Sequence, residues 1–132
     1  MASGSLALIL HAHLPFVRHP EHEDFLEEDW LFEAITETYL PLVRLLRRLA
    51  IEDTHVRLTL SLTPPLCAML RDELLQKRYL RHLDRLIGLA RQEIARHRHH
   101  PQLLALGNFY ERCLTDARAF FSDDLERYVG QA

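Results

Sequence analysis

The sequence predicts a mostly helical α/β fold with two parallel strands and three main helices. An unbroken apolar run at residues 6–10 and a strand-like stretch at residues 56–62 flank an amphipathic helical segment. Strand, helix and strand at this spacing form a βαβ unit with a right-handed crossover, so the strands should be parallel. Both strands look buried and no third strand follows, so the chain looks like the opening of a larger α/β barrel.

Composition excludes several classes of function. The 132 residues fit one domain, and a net charge of −3 with a pI near 6.3 provides no basic surface for nucleic acid or membranes. The N-terminus lacks the charged region of a signal peptide, and its apolar run is too short to span a membrane, so we expect a cytoplasmic protein. Cys67 and Cys113 lie among apolar residues, which predicts buried free thiols.

The segment after the first strand predicts a long loop followed by a helix. Residues 14–29 are rich in proline, histidine and acids, and loops of this length are often functional or mobile. A helix is expected from about Trp30, with Asp29 as its N-cap. Pro41 should kink or split this helix because proline lacks the amide proton that the helical ladder needs.

The second half of the chain predicts helices. A short helical turn is expected at residues 66–70, then long helices at about residues 72–97 and 102–128, with Pro101 in the first turn of the last one. The last helix is expected to bury the following side chains: Leu106, Phe109, Tyr110, Cys113, Ala117, Phe120, Phe121 and Leu125.

His11 and His13 are the strongest candidates for functional residues. They follow the apolar run at the carboxyl end of the first strand, where α/β folds place their sites. Side chains at positions i and i+2 of a strand point the same way, so both imidazoles should face one cavity. Ser61 and Thr63 should project at the same edge. The alternative is structural, with the two histidines capping a core strand through hydrogen bonds.

Two long motifs are similar to a known family. Residues 8–21 (LILHAHLPFVRHPE) and 25–42 (FLEEDWLFEAITETYLPL) form the first, and residues 57–66 (RLTLSLTPPL) form the second. They resemble the start of glycoside hydrolase family 57, most closely its 1,4-α-glucan branching enzymes. The resemblance implies that residues 1–132 are the N-terminal part of an incomplete (β/α)₇ catalytic barrel.

The resemblance also implies a chemistry and a set of contacts. Family members transfer or hydrolyse α-glucan chains with retention, which needs two carboxyl groups about 5–5.5 Å apart. No residue in 1–132 matches the family's glutamate nucleophile or aspartate acid/base, so this chain alone is expected to be inactive. His11 and His13 match the first signature motif and would bind sugar hydroxyls. Trp30 is a candidate sugar-stacking residue, with a core anchor as its alternative. No metal or organic cofactor is implied.

Two other interpretations remain open. A His-x-His motif at the end of a first barrel strand also begins the metal site of amidohydrolase-like enzymes. The cluster His97, His99 and His100 could also bind metal, although a solvated helix end is the simpler interpretation. The second of these interpretations is a non-catalytic truncated product that binds α-glucan or a partner. Such a fragment would expose strand edges and helix faces, which promotes self-association.

Overall fold

The structure is a computed structural model that describes Gly4 and residues 6–129, with side chains as far as residue 123. In chain order the elements are β1 (Ile9–Ala12), α1 (Glu28–Ala34), a π-helical segment (Ile35–Tyr39), α2 (Leu40–Ile51), β2 (Thr59–Leu62), α3 (Pro64–Arg71), α4 (Glu73–Arg96) and α5 (Pro101–Val129). Two strands and a large helical majority confirm the predicted fold class. Pro101 is the first residue of α5, as predicted.

The two strands pair in parallel, which confirms the βαβ unit. In their register Ile9 lies opposite Thr59, and His11 lies opposite Ser61. The predicted burial of both strand faces is wrong for this chain, since Ile9 is 66% exposed and every residue of β2 is exposed. The described helices pack mainly against each other, so no layer covers these strands on both sides.

The first helix begins slightly earlier than predicted, and its cap differs. Glu27, not Asp29, occupies the N-cap position, and its side chain makes no capping hydrogen bond. A preceding turn explains the difference. The amides of Glu28 and Asp29 donate to the carbonyls of Phe25 and Leu26 at 3.0 and 3.1 Å, so they need no side-chain acceptor.

Pro41 perturbs the helix without ending it. The backbone stays helical from Glu28 to Ile51, but residues Ile35–Tyr39 adopt the wider π-helical turn. Proline has no amide proton and its ring crowds the carbonyl four residues earlier, so a wider turn just before Pro41 relieves the conflict. Thr36 lies within this turn, and its hydroxyl donates to the Phe32 carbonyl at 2.9 Å.

The core lies between α4 and the helices on either side of it. Its buried apolar side chains are Val17, Leu31, Phe32, Ile35, Leu40, Leu66, Met69, Leu75, Tyr79, Leu83, Ile87, Leu114 and Ala117. Gly107 allows α5 to approach α4 closely, because a Cβ there would lie 2.8 Å from Ile94 Cγ1. None of the described helices is both long and apolar enough to cross a bilayer.

The buried face of α5 differs from the predicted one. Ala117 is buried, but Leu106, Phe109 and Tyr110 are about half exposed. Cys113 is also exposed and Cys67 is only partly buried, so the expectation of two buried thiols is wrong. The Leu125 side chain lies outside the described residues. The buried stripe instead runs through Leu114 and Ala117, while Leu106 and Tyr110 line an open groove that no described element fills.

Asp72 caps α4, and its removal is our first prediction. Its Oδ1 accepts from the Leu75 amide at 3.1 Å, and its Oδ2 accepts from Arg18 Nε at 2.6 Å. Although partial burial opposes them, these hydrogen bonds lower the pKa of Asp72. We expect Asp72→Ala to lower the free energy of unfolding by about 1–2 kcal/mol at pH 7, measured by urea denaturation.

The pH dependence of this effect has a definite sign. A lowered carboxyl pKa in the folded state stabilises the fold above the unfolded pKa of about 4, and this contribution disappears as pH falls through the folded pKa. The difference between wild type and Asp72→Ala should therefore shrink in acid. Glu73→Ala is the matched control, because Glu73 is the neighbouring acid and its ion pair with Lys77, at 3.7 Å, is exposed. An equal loss in both variants would contradict the capping role.

Candidate functional site

The two candidate histidines lie side by side at the carboxyl end of β1. His11 is the third residue of the strand, and His13 follows its last residue. Their ring centroids are 6.2 Å apart and the ring planes differ by only 8°. The prediction that both imidazoles face the same side is confirmed. Both side chains are exposed, so each can be reached by a ligand.

Ser61 joins the same edge from the neighbouring strand. Its Oγ lies 3.1 Å from His11 Nδ1, as the register between the two residues requires. Thr63 also lies at this edge, and its amide donates to the Ala12 carbonyl at 3.2 Å. Its buried hydroxyl has no partner among the described residues. Thr63 is the N-cap of α3, but Pro64 and Pro65 have no amide proton to donate to it.

Trp30, the third candidate residue, lies on α1 and not at the end of β1. It is in the first turn of α1, as the alternative of a core anchor requires, but it is 50% exposed and is not one of the buried core residues. Among the described residues no ring contact joins Trp30 to either imidazole. An exposed indole can stack on a sugar ring, so the stacking role stays a prediction.

Side chains of α4 hold the acid-rich loop that precedes α1. Arg78 is 8% exposed and pairs with Glu28, which is 2% exposed. The same guanidinium donates to the carbonyls of His19 and His22, so one side chain holds two points of the loop and the start of α1. Val17 is buried nearby, and its amide donates to Met69 Sδ at 3.2 Å.

A polar cavity of about 350 Å³ lies where this loop meets α4. His82 Nδ1 is 3.3 Å from Asp29 Oδ1 and 3.2 Å from Arg85 Nη2. Burial lowers the pKa of His82, and the nearby Asp29 carboxylate opposes that effect. Arg81 also lines this cavity and donates to Asp24 Oδ1 at 2.9 Å. The arrangement is a set of ion pairs that fixes the loop.

Sequence reasoning missed this contact between loop and helix, although a signal existed. Arg78, Arg81, His82 and Arg85 recur at helical spacing and form one polar stripe on α4. The loop they contact is rich in acids. A basic stripe and an acidic loop in one short chain predict a pairing, but their separation in sequence hides it.

The second histidine cluster has the character of a solvated helix end. His97 Nε2 lies 3.1 Å from Glu93 Oε2, and the ring centroids of His97 and His100 are 6.0 Å apart. Within Gly4 and residues 6–123, no group of three or more His, Cys, Asp or Glu side chains is arranged to hold a metal ion.

Comparison with known proteins identifies the family. The family model described as glycosyl hydrolase family 57 matches residues 7–127. The chain belongs to this family. A 1,4-alpha-glucan branching enzyme of Thermococcus kodakarensis is 34% identical over 91 residues, which is 69% of this chain and 13% of that enzyme. A probable 1,4-alpha-glucan branching enzyme of Mycobacterium tuberculosis is 39% identical over 69 residues, which is 52% of this chain and 13% of the relative.

Two solved structures share the fold. The alpha-amylase AmyC of Thermotoga maritima superposes with a TM-score of 0.77 at 41% identity, covering 95% of this chain and 25% of that one. The family 57 branching enzyme of Pyrococcus horikoshii gives a TM-score of 0.83 at 27% identity, covering 94% and 23%. The chain therefore has the fold of part of a (β/α)₇ barrel. The aligned part of the chain covers 13% of the length of each of these curated relatives.

Proposed function

We propose that residues 1–132 are a segment of the catalytic barrel of a cytoplasmic, retaining α-glucan-active enzyme. The activity we propose for the whole enzyme is 1,4-α-glucan branching, the transfer of α-1,4 chains to α-1,6 positions during glycogen synthesis. The observation that carries this proposal is the family match over residues 7–127. The curated branching-enzyme relatives support the choice of branching over hydrolysis.

Within this enzyme, His11 and His13 would contact the sugar. A neutral imidazole has one donor and one acceptor nitrogen, which suits a hydroxyl that can both give and accept a hydrogen bond. Two near-parallel rings 6.2 Å apart could therefore contact adjacent hydroxyls of one sugar. Trp30 would stack on a sugar ring elsewhere along the glucan. Neither imidazole would form the covalent intermediate.

The covalent chemistry would require carboxylates from other barrel segments. Retention needs a nucleophile and an acid/base about 5–5.5 Å apart across the scissile bond. Glu28, the most buried carboxylate of the described residues, is paired with Arg78 and thus unsuited to either role. We therefore propose that this chain binds α-glucan but does not cleave or branch it. No metal or cofactor is part of the proposal.

Binding of maltoheptaose to the 132-residue chain tests the proposal. We expect the imidazole NMR signals of His11 and His13 to shift on titration, and His13→Ala to weaken binding by roughly 2–10-fold, the value of one hydrogen bond. His55→Ala is the matched control, because the His55 side chain is 90% exposed and lies 3.9 Å from Asp53, away from the histidine pair at the end of β1.

An iodine-staining assay with amylose tests the second half of the proposal. We expect no change in colour with time, because no pair of catalytic carboxylates is proposed for this chain. Conversion of amylose to a branched or shortened product by the purified chain would contradict it. Equal affinity of wild type, His13→Ala and His55→Ala for maltoheptaose would contradict the proposed sugar contact of His13.

A further inference from the structure

The Ser61–His11 pair is built into the sheet. Parallel pairing of β1 with β2 sets His11 directly opposite Ser61. The serine Oγ lies 3.1 Å from His11 Nδ1, within hydrogen-bond distance. Because the backbone ladder holds both Cα positions, the contact is fixed by strand register and not by a mobile loop.

The two imidazoles of the site are held differently. Nδ1 of His11 is occupied by Ser61, whereas the His13 ring has no hydrogen-bond partner among the described residues. A serine hydroxyl can donate to Nδ1 or accept from it, so the contact leaves Nε2 available for a ligand in either tautomer. Rotation of the ring by half a turn would break the serine contact. The serine therefore restrains the orientation of the His11 ring.

We infer that Ser61 is a positioning residue, which holds Nδ1 of His11 so that Nε2 faces the α-glucan. This inference rests on the proposed function, since it concerns the same sugar contact. Ser61 itself does not touch the sugar in this arrangement. Its effect on binding passes through the imidazole, because a preoriented ring loses less freedom when the ligand binds.

Three variants test the inference. Ser61→Ala removes the hydroxyl, and Ser61→Thr retains one on a side chain that suits a strand. Thr59→Ala is the matched control, because it removes a hydroxyl two residues earlier on the same strand, opposite Ile9. Circular dichroism and thermal unfolding establish that each variant keeps the fold.

Two readouts distinguish positioning from a general structural effect. The ¹⁵N shift of His11 Nδ1 reports the hydrogen bond to Ser61, and we expect this shift to change in Ser61→Ala because the ring loses that partner. Affinity for maltoheptaose should fall roughly 2–10-fold in the same variant. Ser61→Thr should restore both values, and Thr59→Ala should change neither.

The possible failures are separable. Unchanged His11 ring shifts in Ser61→Ala would overturn the inference, whether or not affinity falls. Changed shifts with unchanged affinity would also overturn it, because the restraint would then have no consequence for the ligand. If wild type does not bind maltoheptaose at all, the proposed function fails. The ring shifts would then still decide whether Ser61 holds Nδ1 of His11.

Discussion

Glu28→Ala is expected to destabilise the chain by about 3–5 kcal/mol, because it leaves the Arg78 guanidinium buried without its counter-charge. Both partners are almost fully buried, at 2% and 8% side-chain exposure. Glu28 also accepts a hydrogen bond from the His19 amide at 3.3 Å, so its loss frees part of the loop as well. Urea denaturation followed by circular dichroism measures the change in the free energy of unfolding.

Arg81→Ala is the matched control for this prediction. Arg81 lies one turn along α4 and pairs with Asp24 at 2.9 Å, but both side chains are exposed. An exposed ion pair contributes roughly 0–1 kcal/mol, so this variant should stay close to wild type. Comparable losses in Arg81→Ala and Glu28→Ala would show that burial of the Glu28–Arg78 pair is not what stabilises the loop.

Local pattern was enough to predict the order and type of the elements. Asp72 and Pro101 mark the starts of α4 and α5, since an acidic N-cap and a first-turn proline act within a single helical turn. The parallel pairing followed from the length of the intervening helix. The π-helical turn before Pro41 lies where a kink was expected.

Burial was predicted less well, because it depends on elements distant in sequence. The apolar run of β1 has the composition of a strand buried on both faces, yet Ile9 is exposed because nothing described here covers it. Leu106 and Tyr110 have the spacing of a buried stripe, yet they line an open groove. Periodicity states which side chains share a face but not which face meets a partner.

In the candidate site, too, local contacts were predictable from the sequence and distant ones were not. The alternation of a strand was sufficient to place His11 and His13 on one side, and the shared carboxyl edge was sufficient to bring Ser61 beside them. The Glu28–Arg78 pair was not predicted because it joins positions fifty residues apart in sequence. Only the packing of the loop against α4 shows that one of its acids is structural.

Leu83 and Leu106 test whether burial or sequence spacing determines how much a leucine stabilises the fold. Leu83 on α4 is 0% exposed, whereas Leu106 on α5 is 51% exposed although its spacing suggests burial. We expect Leu83→Ala to cost about 2–5 kcal/mol in unfolding free energy, because it removes core contacts and leaves a cavity. Leu106→Ala should cost less than about 1 kcal/mol, since about half of this residue's surface already meets water. Thermal and urea unfolding of both variants measures the difference.

A large loss in Leu106→Ala would mean that the groove it lines is covered in solution. That groove, of about 440 Å³, is bordered by Leu103, Leu106 and Tyr110 and is rich in apolar surface. Exposed apolar surface of this kind promotes association, so a second copy of the chain could cover it. Sedimentation across a range of concentrations distinguishes the two cases. If Leu106→Ala is strongly destabilising only at concentrations where wild type is oligomeric, self-association stabilises α5. If Leu106→Ala is strongly destabilising in the monomer as well, the exposed position of Leu106 is wrong.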